Sequence, residues 1–291
     1  MKETGKARVM LVLSMVIFGT IGLFVKNVSV SSGELALYRG IMAVLLILVY
    51  LTVTGQKIRF RTIGKELPLL LISGAAMGIN WILLFEAYRY TSVSVATLSY
   101  YFAPVIVMIA CPILFREKLT AKQIVCFVMS TAGLALIIGV TDLGGENNHF
   151  TGILFGLGAA VFYAAVILFN KGIKGVAGLH RTLLQLVAAV VVLVPYVLCT
   201  GGINLSVLDG KGVICLLVVG VLHTGVAYCM YFSALRSMPG QEAAILSYID
   251  PLVAVLVSVL VLGEPMTLPQ ILGGALLLGF TLVNEISPKK R

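Results

Sequence analysis

Long apolar runs separated by short polar segments occupy almost the whole of this chain. A helix needs about 20 apolar residues to cross the hydrocarbon core of a bilayer, and ten runs come close to or exceed that length. The connections between them are too short to hold a soluble domain, so the pattern predicts ten membrane-spanning α-helices. The runs cover residues 9–25, 35–54, 67–85, 92–115, 123–141, 150–170, 182–199, 212–235, 243–262 and 265–284.

Composition supports this interpretation. Of the 291 residues, 59% are hydrophobic and only 11% are charged, and the mean hydropathy is +1.06. Soluble domains carry roughly 25% charged residues. An all-α integral membrane protein is therefore the fold class that fits, and the lipid bilayer is its first predicted partner.

Lysine and arginine residues are distributed unevenly among the connecting segments. When ten helices are threaded through a membrane, both termini share one side, and of the 21 basic residues only Lys26, Arg39, Arg89 and Lys211 fall on the other. Short cytoplasmic loops collect basic residues, so we expect a multi-pass protein of the cytoplasmic (inner) membrane with both termini in the cytoplasm. The net charge of +9 is then a topology signal. We expect no nucleic-acid partner, because a basic binding patch would lie on one folded surface.

The chain contains a duplication, which an offset of 147 residues reveals. Between residues 78 and 124 the two copies share 11 identities in 47 positions. The chain therefore divides into two five-helix repeats, residues 1–145 and 146–291. Because five is odd, the second repeat enters the membrane from the opposite side, so the prediction is a pair of inverted repeats. Many secondary transporters have this architecture, with the binding site between the repeats. The identical pairs are Gly78/Gly225, Phe85/Phe232, Ala87/Ala234, Arg89/Arg236, Ala96/Ala243, Tyr101/Tyr248, Pro104/Pro251, Glu117/Glu264, Thr120/Thr267, Gln123/Gln270 and Ile124/Ile271.

Three motifs recur in both repeats. F-x-A-x-R ends the third helix, a proline lies within the fourth (Pro104 and Pro251), and E-x-x-T-x-x-Q follows from Glu117 and from Glu264. In these features the chain resembles the EamA-type transporters of the drug/metabolite transporter superfamily. The resemblance implies a basket of ten helices around a central cavity. It also implies substrates such as amino acids, nucleotide sugars, drugs or quaternary amines, which leaves the solute open.

Asp250 is the only charged residue between positions 243 and 262, and Ala103 occupies its place in the first repeat. The neighbouring proline is shared, so the helix kink belongs to the duplicated scaffold and the acid does not. A charged residue at the centre of a span costs about 2.5–3.5 kcal/mol on insertion scales and marks a functional candidate. Two interpretations stay open: substrate or proton binding, with Ser247 on the same helix face, and a structural acid bonded to a neighbouring helix.

Aromatic residues accumulate on the helices that the resemblance places around the cavity. Aromatic faces beside a buried acid suit an organic ammonium group, through cation–π contact and charge pairing. Tyr248 follows Ser247 and is two residues from Asp250, so it points elsewhere unless the kink at Pro251 rotates it. The predicted aromatic ligands are Trp81, Tyr100, Tyr101, Tyr163, Tyr228 and Tyr248.

Other polar residues lie within or near the spans, and two of them have two interpretations each. His223 lies mid-span where the first repeat has Ala76, and it is either a proton partner or ligand beside Asp250 or a neutral histidine bonded to a helix carbonyl. Glu86 is either an external gate or half of an ion pair with Arg89, three residues on. Arg39, whose counterpart is Gln185, is explained by snorkelling to the outer interface.

Enzyme signatures are absent, since the chain has no HExxH, GxSxG, P-loop or dinucleotide-binding glycine motif. Neither its five cysteines nor its three histidines have metal-site spacing. We therefore predict no catalytic residue, no cofactor and no metal. The predicted function is alternating-access secondary transport of a small amphipathic solute (an amine, quaternary amine or amino acid), with proton coupling at Asp250 and His223, by a monomer or homodimer. The alternatives are a broad-specificity drug or metabolite exporter and a non-transporting receptor or assembly subunit on the same fold.

Overall fold

The structure is a computed structural model that describes residues 2–56, 64, 66–115, 120–139, 148–176, 178–235, 237 and 240–286. This part of the chain is helical and contains no β-strand. Its helices are α1 (Lys2–Gly19), α2 (Ile21–Val25), α3 (Ser32–Val53), α4 (Leu67–Tyr90), α5 (Val93–Tyr100), α6 (Ala103–Phe115), α7 (Ala121–Gly139), α8 (Asn148–Gly172), α9 (Gly178–Thr200), α10 (Gly210–Leu217), α11 (Ala227–Leu235), α12 (Gly240–Ser247), α13 (Ile249–Leu260) and α14 (Leu268–Glu285).

Eight helical segments of the described chain are long and apolar enough to cross a membrane, and two further apolar helices are shorter. Each of the ten predicted runs overlaps one of these ten segments. The all-α membrane fold class is confirmed, while the arrangement as ten crossings in two inverted repeats stays a prediction. The eight are Gly5–Val25, Ser32–Val53, Leu67–Tyr90, Val93–Cys111, His149–Gly172, Gly178–Thr200, Gly210–Leu235 and Leu268–Glu285, and the two are Ala121–Ile137 and Ile245–Leu260.

Large apolar side chains cover the outside of the molecule. Val53 is 81% exposed, Leu260 75% and Ile113 73%. In water such a surface would be an aggregation liability, but lipid tails are as apolar as these side chains. The exposed surface therefore fits a bilayer.

The paired prolines break the helices that contain them. A proline has no N–H to donate and clashes with the carbonyl four residues before it. α5 ends at Tyr100, four residues before Pro104, and α12 ends at Ser247, four residues before Pro251. The predicted kinks are confirmed, and they fall at the same register of the two predicted repeats.

A π-helical segment, Val218–Val226, continues α10 into α11. Its wider turn lets the Thr224 hydroxyl donate to the carbonyl of Val219, five residues back, at 2.9 Å. Gly225 lies within it, where a Cβ would meet Leu46 of α3. Nothing in the sequence pattern indicated this segment. Such segments often mark functional sites.

Glycines allow two helices to touch through their backbones. A Cβ on Gly133 of α7 would lie 2.6 Å from the carbonyl oxygen of Gly273 on α14, and a Cβ on Gly273 would lie 2.5 Å from that of Gly133. Small residues at membrane helix crossings permit this approach. Gly152 of α8 allows a similar approach, because a Cβ there would meet Thr91 at 2.7 Å.

Glu264 of the E-x-x-T-x-x-Q motif does not cap the helix that follows it. That helix, α14, is capped by the reciprocal pair Thr267 and Gln270. The Glu264 carboxylate instead accepts the N–H of Val93 at 2.8 Å, at the start of α5, and pairs with Lys26 after α2. A helix amino terminus favours an anion wherever it comes from in the chain. The counterpart Glu117 and the F-x-A-x-R residue Arg236 lie outside the described residues.

Other polar contacts join segments at the end of the helix assembly that lies opposite Glu264. The Glu66 carboxylate, before α4, accepts the backbone N–H groups of Lys174 and Gly175 at 2.7 Å each. These two hydrogen bonds hold the pKa of the Glu66 carboxyl below its usual range. Arg8 of α1 also pairs with Glu242 of α12.

Candidate functional site

A central cavity of about 370 Å³ lies among the helices of both predicted repeats. Aromatic rings form much of its wall: Phe18, Trp81, Tyr88, Tyr100, Tyr101, Tyr163, Tyr228, Tyr231 and Phe232. Among the described residues that line it, only Arg39 and Asp250 carry a charge. Cavities of this size, mostly apolar with a few convergent polar groups, are typical ligand sites.

Asp250 lies at the second position of α13, immediately after the helix break. The Tyr101 hydroxyl donates a hydrogen bond to its Oδ2 at 2.6 Å. Tyr101 itself occupies the break between α5 and α6, so the two breaks present a carboxylate and its donor to each other. None of the described basic side chains forms an ion pair with Asp250. Its carboxylate therefore faces the cavity with a neutral partner.

α1 packs closely against this break. A Cβ on Gly19 would lie 2.6 Å from the backbone carbonyl oxygen of Asp250. Gly19 ends α1, and α2 begins at Ile21. Three interrupted helices therefore meet near the carboxylate, as discontinuous helices do at the binding sites of many secondary transporters.

The tyrosines beside Asp250 form a connected aromatic surface. Tyr100 stacks on Tyr163 with ring centroids 5.1 Å apart and meets Tyr101 edge-on at 5.7 Å. On the other wall Tyr228 meets Phe18 edge-on at 5.5 Å. Ring faces with a nearby carboxylate attract an organic cation through the ring quadrupole and through charge pairing.

Arg39 does not snorkel to the outer interface, as the sequence had suggested. Its side chain is buried, with 4% exposed. The guanidinium carbon lies 4.1 Å from the ring centroid of Trp81 and 5.2 Å from that of Phe85, and Nε donates to the Thr224 hydroxyl at 3.0 Å. Depth in the membrane cannot be read from a position two turns into a helix. The available signal was its counterpart Gln185, a polar residue that lines the same cavity.

Ser247 lines the cavity beside Asp250, as predicted from their shared helix face. Its hydroxyl donates to the carbonyl of Ala243 at 2.8 Å. The structure thus brings together six predicted ligands with Asp250: Ser247, Trp81, Tyr100, Tyr101, Tyr163 and Tyr228.

Two predicted ligands lie outside the cavity lining. His223 is fully buried in the π-helical segment, where its Nε2 is 2.9 Å from the Thr20 hydroxyl and its Nδ1 is 3.1 Å from the Val218 carbonyl. Tyr248 packs with Leu277 and Leu278 of α14 in a separate apolar cluster. The turn at Tyr248 does not rotate its ring onto the face of Asp250.

Glu86, the predicted gate, also lies outside the cavity lining. It accepts a hydrogen bond from Arg89 at 3.4 Å, which is the predicted i, i+3 ion pair. Both side chains are at the end of α4 and are partly exposed. Its role as a gate stays a prediction.

The described residues contain no group of three or more histidine, cysteine, aspartate or glutamate side chains able to hold a metal ion. The site offers instead two charged groups, several hydroxyls and a wall of rings. This arrangement suits reversible binding of a small organic solute.

Two segments, residues 5–139 and 150–284, each match the sequence model of the EamA-like transporter family. The chain belongs to this family. Among similar proteins, the uncharacterized transporter YxxF of Bacillus subtilis is 30% identical over 94% of this chain and 87% of its own. An uncharacterized transporter of Archaeoglobus fulgidus is 30% identical over 94% of both chains.

A more distant relative and a solved structure extend the comparison. The uncharacterized inner membrane transporter YhbE of Escherichia coli is 28% identical over 71% of this chain and 61% of its own. One crystal structure superposes with a TM-score of 0.67 at 14% identity, over 96% of this chain and 98% of that one. The protein is therefore an EamA-like membrane transporter and not an enzyme. Its partners include the lipid bilayer and a small-molecule substrate.

Proposed function

We propose that this protein is a secondary transporter that moves a small amphipathic organic solute with an ammonium group across the cytoplasmic membrane by alternating access. Amines, quaternary amines and amino acids belong to this class. Asp250 binds the ammonium group and exchanges it for a proton. The supporting observation is the Asp250 carboxylate, hydrogen-bonded to Tyr101 at 2.6 Å inside an aromatic cavity and without a cationic partner among the described residues.

We further propose the topology that alternating access requires. The chain forms ten crossings in two inverted five-helix repeats, residues 1–145 and 146–291, with both termini in the cytoplasm. The supporting observations are the matched proline breaks after Tyr100 and Ser247 and the asymmetric distribution of basic residues. The functional unit is a monomer or a homodimer without a nucleic-acid partner.

Proton exchange follows from the setting of the carboxylate. Removal from water disfavours the charged form of an acid, while an arriving ammonium group favours it. A cation and a proton therefore compete for Asp250. When the cavity faces one side of the membrane, a cation enters as a proton leaves, and the reverse exchange takes place on the other side.

The experiment begins with the purified protein and a panel of 2-phenylethylamine, tetraethylammonium, phenylalanine and glucose. A solute that binds only the folded protein raises its apparent melting temperature. We expect a shift with at least one ammonium compound and none with glucose. The stabilising solute is then used for flux into proteoliposomes with and without a proton gradient.

Asp250→Asn is the decisive variant, and Asp250→Ala is its companion because alanine already occupies the equivalent position 103. Both should fold, insert and lose ammonium binding and proton-driven flux at least tenfold between pH 5.5 and 8, a range chosen to span histidine titration. Asp209→Asn is the matched control, since Asp209 caps α10 and is not among the residues that line the cavity. Unchanged binding and flux in Asp250→Asn would make the acid structural. Binding without flux in the parent protein would favour a receptor, and equal binding of uncharged solutes would favour a broad exporter.

A further inference from the structure

Arg39 is a second charged group in the central cavity, and the proposed function does not use it. It lies in α3, is 4% exposed and lines the same cavity as Asp250. No described carboxylate forms an ion pair with it. An isolated charge removed from water is unfavourable unless a partner compensates it. A partner that is absent from the protein can be supplied by the solute.

The guanidinium is held in one orientation by groups that leave part of it available. Nε donates to the Thr224 hydroxyl at 3.0 Å, and that hydroxyl donates in turn to the carbonyl of Val219 at 2.9 Å. One face of the guanidinium lies over Trp81 at 4.1 Å. Within the described part of the chain, the two terminal nitrogens of Arg39 donate to no protein acceptor. A guanidinium offers two parallel N–H groups that match a carboxylate.

Arg181 shows how an arginine with a structural role is bonded in this same protein. All three of its nitrogens donate to backbone carbonyls: Nε to Val176 at 2.8 Å, Nη2 to Ile173 at 2.9 Å and Nη1 to Asn170 at 3.4 Å. Arg181 thus caps the end of α8 and the turn that follows. Arg39 uses one nitrogen of three, and its side chain lines the cavity. This difference in hydrogen bonding distinguishes an arginine available to bind a solute from one that only stabilises the fold.

Arg39 and Asp250 have opposite charges and line one cavity of about 370 Å³, yet they form no ion pair with each other. A solute with only an ammonium group compensates Asp250 and leaves Arg39 without a counter-ion. A solute with only an anionic group has the opposite defect. A zwitterion compensates both, and the aromatic rings that line the same cavity cover its apolar part.

We propose that Arg39 is the anion-binding residue of this transporter and that its preferred solutes are zwitterionic amino-carboxylates. The carboxylate of the solute binds the terminal nitrogens of Arg39, and its ammonium group binds Asp250. This assignment rests on the proposed function for the Asp250 half of the site. Thr224 is a positioning residue, because it acts on the solute only through Arg39.

The chain contains its own reporter of binding at Arg39. Trp81 is the only tryptophan, and its ring lies under the guanidinium. Fluorescence excited at the tryptophan band therefore responds to a group that binds Arg39. Two matched sets of probes separate the charges: phenylalanine, 2-phenylethylamine and 3-phenylpropionate, and 6-aminohexanoate, hexylamine and hexanoate. The two sets also differ in the spacing of their charges.

In the parent protein we expect the zwitterion of at least one set to bind ten times more tightly than either singly charged relative. Arg39→Gln should reduce the affinity for that zwitterion to the level of its amine, while the Kd of the amine changes less than threefold. Thr224→Val keeps the guanidinium but removes its Nε acceptor, and it should give a smaller loss of the same kind. If Arg39→Gln fails to fold, Arg39→Lys and Thr224→Val carry the test.

Arg181→Gln is the matched control, because it removes a partly buried arginine that has backbone partners. It should lower the apparent melting temperature and leave the ratio of zwitterion to amine affinity unchanged. The assignment of Arg39 is overturned if the ratio of zwitterion to amine affinity is unchanged in the Arg39 and Thr224 variants, or if the parent protein prefers the amine in both sets. In that case Asp250→Asn still abolishes amine binding, so the proposed function stands. If amines fail to bind the parent or bind Asp250→Asn equally well, the proposed function fails as well.

Discussion

Tyr101 and Asp250 lie at equivalent helix breaks but at different positions of the duplication, since Tyr101 corresponds to Tyr248 and Asp250 to Ala103. Each lies at the helix break that precedes a shared proline, Tyr101 in the first predicted repeat and Asp250 in the second. Their hydrogen bond of 2.6 Å therefore joins the two repeats across the cavity. Arg39 Nε and the Thr224 hydroxyl, 3.0 Å apart, form a second polar link between the two predicted repeats. The cavity lining thus contains one negative and one positive side chain, each hydrogen-bonded to one neutral group.

Tyr101→Phe should weaken ammonium binding without removing it. The ionised form of Asp250 binds the cation, and the substitution removes a donor that stabilises this form. A hydrogen bond to a charged group is worth about 1.5–3 kcal/mol, so we expect the Kd for 2-phenylethylamine at pH 7.5 to rise about tenfold or more. Titration followed by thermal shift gives the value. Tyr196→Phe, on the exposed face of α9, is the control, and a Tyr101→Phe protein with the parental Kd would contradict this account.

At the scale of helices, prolines and glycines decide the geometry that places these residues. Pro104 and Pro251 end α5 and α12 four residues earlier, which turns the chain at the cavity. Gly133 and Gly273 let α7 and α14 touch through their backbones. The duplicated T-x-x-Q is a capping pair in both repeats, since Gln123 accepts the Thr120 N–H at 2.8 Å and Thr267 with Gln270 caps α14.

Gly273→Ala should destabilise the protein because its new methyl group would overlap the Gly133 carbonyl. Overpacking of this kind costs about 1–3 kcal/mol. Gly279→Ala on the same helix is the matched control, since a Cβ there meets nothing within 4 Å. We expect a lower apparent melting temperature for Gly273→Ala only, measured in detergent by thermal shift. Equal melting temperatures for the two variants would show that α7 and α14 separate at little cost.

At the scale of the whole molecule, polar contacts close both ends of the helix assembly. Glu264 connects the end of α2, the start of α5 and Ser258 of α13. At the other end of the assembly, Arg8 of α1 pairs with Glu242 of α12. Alternating access requires that contacts at one end separate while those at the other persist. The Glu264 contacts lie on the side that the charge distribution predicts to be external.

A covalent link across the Glu264 contacts should therefore stop transport. Lys26→Cys with Glu264→Cys, in a background without the five natural cysteines, is treated with a short homobifunctional methanethiosulfonate. We expect solute flux in proteoliposomes to fall at least tenfold and to recover on reduction, while solute binding in detergent persists. The two single-cysteine variants control for modification alone. Full flux through completely cross-linked protein would mean that this end does not open.

Membrane insertion, the helix breaks and a cavity-lining position for Asp250 could be predicted from the sequence alone. In hydrocarbon every backbone polar group must be satisfied within a helix, so apolar length by itself locates the spans. A proline lacks its donor in any context, so breaks could be expected at Pro104 and Pro251. The lost donor alone does not dictate a break, since Pro195 lies inside α9. Asp250 was a candidate because a charge within an apolar run is unfavourable, and the local sequence contains no partner that would compensate it.

Only the tertiary structure decided which neighbours cover each helix face. Periodicity places Arg39 on a face of α3, but the packing of Trp81 and Thr224 against that face turns it into the cavity. For the same reason, Tyr248 packs against α14 and His223 is buried in the π-helical segment. Each of these contacts joins residues far apart in the chain, and the free energy of such a contact depends on the shapes of both partners. A local sequence pattern describes only one of the two partners.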